Sequence, residues 1–389
     1  MLKVDIVIFG GGIAGLWTLA SLRKLGYNAI LLETSALGSG QTIASQGIIH
    51  GGLKYALTGR LSNAVDSLKD LPAFWQKCLD GTGPVDLHNV KILSQWQNLW
   101  SVDKLIGGVA TLFASNALKS HVNVQDKAEW PAIISASAIQ TKLYKLNEIV
   151  LDVPSLIKNL AEPYLPYCFK LPTDNRYTME MADDHIKFIR VGELQITAQK
   201  YIFTAGKGNI NLTKDLPTKP TAQLRPLQMV LVKDKNLLPL YGHCIGLGST
   251  PRLTITTHVA SDQMPVWYLG GKLAEDGVQK TASQQIEYTK QELVALFPRL
   301  DLSAAQYATL AIDRAEAKQD NGLKPDSVTI FNTHNYITAW PTKLALAPIL
   351  AQEIITQIKA ANIKPQQHSL EKINLVQPGF AEPIWEQVL

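Results

Sequence analysis

The chain has 389 residues, 46% hydrophobic and 18% charged, with a net charge of +4. Its length suits two domains better than one core, and its charge is too weak and too evenly spread for nucleic-acid binding, although a mild positive field suits anionic ligands. No run of about 18 uncharged apolar residues occurs, and Met1 leads into a strand-like stretch with no basic leader, so neither a transmembrane segment nor a secretory signal is expected.

Residues 4–9 read as an apolar strand, Gly10 to Gly15 as a turn, residues 16–25 as a helix and residues 28–33 as a second buried strand, completing a βαβ unit. Gly10, Gly12 and Gly15 fit G-x-G-x-x-G directly after a strand and opening a helix, the context that makes this motif informative. The first glycine permits the tight turn, the second lets a pyrophosphate approach, and the third lets the helix pack on the strand. Exposed N–H groups of the turn, through Ile13 and Ala14, and the helix dipole favour phosphates. Glu33, with Thr34 beside it, ends the second strand where a carboxylate can accept ribose hydroxyls. These residues leave open which dinucleotide is bound.

Further on, Leu61, Val65, Leu68, Leu71 and Trp75 follow helical spacing. Residues 80–138 change character, with a strand at 90–93, which places a domain boundary near residue 80. Residues 148–154 read as a strand leading into a helix at 155–161, and residues 185–190, 193–197 and 200–203 as short strands. Strand-like runs follow at 229–232, 252–258 and 266–269, with amphipathic helices at 284–297 and 348–360. Cys78, Cys168 and Cys244 form no CxxC or Cys/His cluster; they read as reduced core thiols of a cytoplasmic protein, and no metal site is expected.

The stretch Gly38-Ser39-Gly40-Gln41-Thr42-Ile43-Ala44-Ser45-Gln46-Gly47-Ile48-Ile49-His50-Gly51-Gly52-Leu53-Lys54-Tyr55 resembles the flavin-contacting loop of FAD-dependent glycerol-3-phosphate dehydrogenases, with Gln46-Gly47 where those enzymes carry Ser-Lys. They belong to the D-amino-acid oxidase superfamily, with glycine, sarcosine and L-2-hydroxyglutarate oxidases. Thr204-Ala205-Gly206 resembles the turn beside the flavin in that superfamily. Residues 311–316, followed by 322–326, resemble the region that carries a substrate-anion arginine, here Arg314. Residues 336–348 resemble the last flavin segment, where a helix begins under the cofactor; Pro341 would sit in its first turn, Thr342 beside it, and Lys343 would add positive charge.

The resemblance implies an α/β fold, with a Rossmann-type FAD-binding domain from residues 1–80, 140–215 and 325–389 interleaved with a mostly antiparallel β substrate domain from residues 81–139 and 216–324. Besides the first glycine turn and Glu33, it implies cofactor contacts from Thr34, Gln41, Thr42, Ser45, Gln46, Gly47, Ile48, His50, Ala205, Gly206, Pro341, Thr342 and Lys343. The expected reaction is hydride transfer to FAD from a small anionic metabolite of the hydroxy-acid or glycerol-phosphate type. Oxidation of an amino acid or secondary amine, or a flavin-binding subunit or sensor without turnover, are the alternatives. Oxygen, a quinone or a partner protein is left open as electron acceptor.

Three side chains are candidates for the chemistry. His50 is the candidate base or flavin neighbour, with covalent attachment left open. Alternation puts His258 on one face with Arg252, Thr254 and Thr256, turned either to the substrate or to solvent. Arg314 is the candidate clamp for a carboxylate or phosphate, against an exposed pairing with Asp313 or Glu316, and Arg225 stands second to it.

Overall fold

The computed structural model describes residues 1–50, 71–101, 122–137, 141–172, 177–218, 220–246, 250–320, 325, 327–366 and 375–389. The helical spacing at Leu61, Val65 and Leu68, the loop end from Gly51 to Tyr55, and Gly322 to Lys324 lie outside the described residues.

The βαβ unit forms as expected. Strand Leu2–Phe9 leads through the glycine turn into helix Ile13–Lys24 and returns as strand Ala29–Glu33, parallel to the first. Every residue of the second strand is buried, because both faces of this sheet are covered: Ile6 and Ile8 pack on the helix side, while Val7 and Phe9 join a core on the other. The sheet runs in the order Thr329–Thr333, Tyr336–Trp340, Leu194–Phe203, Leu2–Phe9, Ala29–Glu33, Cys168–Lys170. A hairpin of Tyr177–Ala182 and His185–Val191 extends from Leu194–Phe203. The two strands expected at residues 193–197 and 200–203 are a single strand, since pairing with the first strand holds one register from Leu2 opposite Ile196 to Phe9 opposite Phe203. Gln199, between the two expected strands, donates its side-chain amide to the buried Asp5 carboxylate at 3.1 Å.

A second sheet runs Gln306–Ala317, Ala222–Lys233, Pro265–Gly270, Leu253–Val259, Gly242–Ile245, Gln97–Ser101, Tyr144–Leu146, Val122–Val124. Its strands pair antiparallel except where Gly242–Ile245 meets Gln97–Ser101. Ala222–Lys233 is longer than the expected 229–232 and contains Pro226. The proline is tolerated because the third strand pairs only with Val230 to Lys233; at Pro226 the strand has its partner, Asp313, on one side alone. Helix Ala282–Leu296 starts from a capping box, Thr281 and Gln284 each accepting from the other's backbone N–H, and buries Leu293 and Leu296 against this sheet.

The C-terminal segment ties the two sheets together. Ala381 N donates to Leu37 O at 2.9 Å beside the first sheet, while the Glu386 carboxylate accepts from Ser261 N at 2.6 Å and Ser261 Oγ at 2.8 Å at the end of the second. No described helix is long and apolar enough to cross a membrane, and all three cysteines are buried.

His258 turns neither to solvent nor to a ligand cavity. It is 3% exposed, its ring stacks on Trp385 with centroids 4.3 Å apart, and Nε2 meets Thr256 Oγ1 at 3.1 Å. Burial, with a smaller push from Lys91, drives its pKa down to about 3. The folded pKa thus lies below the unfolded value of about 6.5, so between these values the unfolded chain takes up a proton that the folded one refuses. Stability therefore falls as pH drops through that window, by up to about 1.4 kcal/mol per pH unit. Chemical denaturation of wild type and His258→Phe at pH 7 and pH 5 should show the difference between them move by about 2 kcal/mol in favour of the variant at the lower pH. A difference independent of pH would mean that His258 is protonated or hydrated in the folded state.

Candidate active site

Close backbone packing builds the site. Gly10 has φ +100°, and a Cβ there would lie 2.5 Å from Ala205 Cα; a Cβ on Gly15 would lie 1.9 Å from Gly10 O. Gly15 thus packs the helix on the turn without itself lining the cavity. Gly12 caps helix Ile13–Lys24 with no side-chain bond, and the first turn carries no acidic residue, so the positive helix end faces open space. Thr42 Oγ1 accepts from Ile13 N at 3.0 Å. The Glu33 carboxylate accepts from Gly11 N at 2.5 Å and Ser35 N at 2.7 Å, bracing the turn, and about four acceptor positions on a carboxylate leave capacity for ribose hydroxyls.

These groups open onto a cavity of about 1110 Å³, above the roughly 300–1,000 Å³ usual for small-ligand sites. Gly10, Gly12, Ile13, Ala14, Glu33 and Thr34 line one end. Gln41, Thr42, Ser45, Gln46, Gly47, Ile48 and His50 line its length, with Ala205 and Gly206 from the neighbouring strand end. The residues fit FAD: a glycine turn with no room for a Cβ at Gly10 or Gly15, a helix end whose capping residue carries no side chain, a carboxylate for the ribose, and room beyond for a small second molecule. Ser45 Oγ is buried against this wall with no partner among the described residues.

Pro341, Thr342 and Lys343 also line the cavity, but the helix begins at Ala347, close to the start of the expected 348–360 helix, and not at Pro341 as the resemblance implied. Thr342 has φ +62°, which interrupts any helical run, and Lys343 is the extended residue capping a short 3-10 turn, Leu344–Leu346. Helix Ala347–Ala360 follows with Pro348, rather than Pro341, in its first turn.

Arg314 comes to the cavity on strand Gln306–Ala317. The carboxylates expected to pair with it are engaged elsewhere: Asp313 with Lys207, and the buried Glu316 with Gln223 Nε2 at 2.7 Å and Arg225 Nε at 3.6 Å. Arg314 Nε is buried without a partner among the described residues. Burial first, then the Arg225 guanidinium directly opposite in register, push its pKa below the usual arginine value, against an upward pull from Glu275 and Glu316. Arg225 does not line the cavity, and Arg252 is held by Glu292 at 2.7 Å and 3.1 Å.

His50 is joined by two residues that no sequence motif marks. Its Nδ1 lies 3.1 Å from Glu148 Oε2, and its ring stacks on His243 with centroids 5.9 Å apart. His243 Nδ1 is 2.9 Å from Thr254 Oγ1. Glu148 and His243 are 4% and 7% exposed; both imidazoles and Thr254 line the cavity, while the Glu148 carboxylate lies behind them. Within the alternating run that suggested His258, Thr254 reaches the cavity and His258 does not.

Residues 5–141 match the family described as DAO, FAD dependent oxidoreductase. A probable FAD-dependent oxidoreductase of Pseudomonas aeruginosa, PA4991, is 43% identical across 99% of this chain and 98% of its own. Its crystal structure superposes with a TM-score of 0.86 at 39% identity, again over 99% and 98% of the two chains. At the level of fold alone, glycine oxidase from Geobacillus kaustophilus superposes with a TM-score of 0.66 at 13% identity, over 95% of this chain and all of that one. The FAD complex of glycerol-3-phosphate dehydrogenase from Bacillus halodurans gives 0.58 at 13% identity, over 94% of this chain and 66% of that one. A glycine cradle shaped for FAD and a relative of this identity along the whole length lead to one conclusion: the chain belongs to the DAO family of FAD-dependent oxidoreductases, with FAD as its cofactor.

Proposed function

We propose that the protein oxidises a small anionic metabolite of the hydroxy-acid or glycerol-phosphate type, which Arg314 binds by its anion. Bound FAD supplies the hydride acceptor. One observation carries this reading: a half-buried arginine in the cavity wall whose Nε is buried with no partner among the described residues. Such a group is costly to bury unpaired, and its planar fork matches a carboxylate or phosphate. The substrate hydroxyl must also lose a proton, and the His50–Glu148–His243 cluster is the polar part of the wall suited to that task. Glu275 favours a second reading: it lines the cavity and acts electrostatically on Arg314, as a carboxylate receiving the ammonium of an amino acid would.

The same proposal assigns the first sheet to an FAD-binding domain and the second to a substrate domain, with the boundaries expected from sequence except that Tyr144–Leu146, expected in the FAD-binding domain, is a strand of the second sheet. Buried, widely separated cysteines support a cytoplasmic location. Anaerobic titration of the FAD-loaded protein with hydroxy acids, glycerol phosphates and amino acids tests the substrate class. Loss of flavin absorbance with a hydroxy acid or glycerol phosphate supports the first reading, and reduction with ammonia release supports the second. A flavin that none of them reduces overturns both.

Two variants probe the ends of the cavity. Glu33→Gln removes a charged acceptor and should weaken FAD binding by roughly ten- to hundredfold, from about 1.5–3 kcal/mol for a charged hydrogen bond. Fluorescence titration of the apoprotein measures it, and wild-type affinity in a folded variant would exclude the role. Arg314→Lys keeps the charge and loses the fork; kcat/KM on the identified substrate should fall roughly ten- to hundredfold, mainly through KM, with FAD content intact. Wild-type kinetics for both Arg314→Lys and Arg314→Ala would eliminate the clamp.

A further inference from the structure

His50 and His243 in the cavity wall and Glu148 behind them are brought together by backbone pairing. Ile48 forms a bridge with Val150, flanked by Ile49 N to Ile149 O and Leu151 N to Gly47 O, both at 2.9 Å. This short antiparallel contact sets His50 beside Glu148, although 98 positions separate them. His243 arrives from the second sheet, on the strand where it stands opposite Thr254. One ligand atom from each of His50, Glu148 and His243 then lies within 4.8 Å of the others.

We propose that His50, Glu148 and His243 bind one divalent first-row transition ion, Zn²⁺ being the best match, with a coordination position left open to the cavity. Two imidazoles and one carboxylate are a donor set suited to such ions, and three protein ligands with an open fourth position are the pattern of reactive rather than structural zinc. Tetrahedral ligands about 2.0–2.1 Å from zinc stand about 3.3 Å apart, so closing on the ion from a spacing of up to 4.8 Å takes side-chain movements of up to about 1.5 Å. Thr254 Oγ1 already holds His243 Nδ1; with the proton on that nitrogen, the Nε2 lone pair is directed to the metal, as outer partners of zinc-bound histidines commonly arrange.

The ion site stands on these residues alone; its use in catalysis rests on the function proposed above. A substrate oxygen in the open position would lose its proton at lower pH than in water, with His50 a ligand rather than the direct base.

The test uses the FAD-loaded protein without substrate. After dialysis against a chelator and then chelator-free buffer, it is titrated with Zn²⁺ by calorimetry, and bound metal is measured after equilibrium dialysis. One equivalent per chain is expected, with a dissociation constant of about 1 µM or tighter. Glu148→Gln and His243→Ala should each weaken binding by about a hundredfold or more, and Thr254→Val by about tenfold or more, all with an unchanged flavin spectrum. Should His243→Ala fail to fold, His243→Asn takes its place. Wild-type protein that keeps its flavin but takes up no stoichiometric Zn²⁺ overturns the proposal and returns His50 to the role of base. Wild-type Zn²⁺ affinity in both Glu148→Gln and the His243 variant overturns it too, by locating the ion elsewhere. Neither result touches the anion-binding reading, which the Arg314 kinetics decide separately.

Discussion

The architecture depends on how closely three pieces of backbone approach one another at the end of the first strand. With only 1.9 Å between a Gly15 Cβ position and Gly10 O, and 2.5 Å between a Gly10 Cβ position and Ala205 Cα, nothing larger than hydrogen fits. That contact lets the helix end, the turn and the tip of strand Leu194–Phe203 converge with no side chain between them. The helix end, which carries no acidic residue in its first turn, thereby opens onto the cavity, and the Glu33 carboxylate holds the turn beside it through Gly11 N.

A single loop, residues 38–50, carries the influence of this turn to the second sheet. Thr42 bonds Ile13 N under the turn, Tyr268 OH donates to Ala44 O at 2.8 Å, and Gln46 Nε2 donates to Tyr268 O at 2.9 Å. These hydrogen bonds fix the loop at the seam between the two sheets. The cavity lies along that seam, which is where ligand sites between layers tend to form.

Much of this was legible in the residues themselves, because the glycine spacing, the apolar strands and Glu33 are local patterns with local causes. The pairing that brings Glu148 to His50, and the strand that carries His243 to both, depend on contacts between segments 98 or more positions apart. No spacing motif encodes those. Pro341 misled for a related reason: a proline before an apolar run resembles a helix start, but the left-handed Thr342 postpones the helix until Pro348 can occupy its first turn. His258 sits in a run whose alternation was read correctly, yet the C-terminal Trp385, 127 positions away, covers it. Tertiary cover, rather than strand periodicity, decided its environment.

Gln41 links the two ends of the cavity most directly. Its Oε1 accepts from Ala315 N at 2.6 Å, so a loop residue lining the cavity grips the backbone immediately after Arg314. Whatever orders this loop also sets the height of the neighbouring strand. The coupling must run both ways, since a free energy shared between two binding events has no preferred direction. Under the proposed role of Arg314, a loop settled by FAD would raise the affinity for the anion, and a bound anion would in equal measure retard the departure of FAD. Cofactor retention would then rise with substrate supply, leaving an idle enzyme the more ready of the two to surrender its flavin.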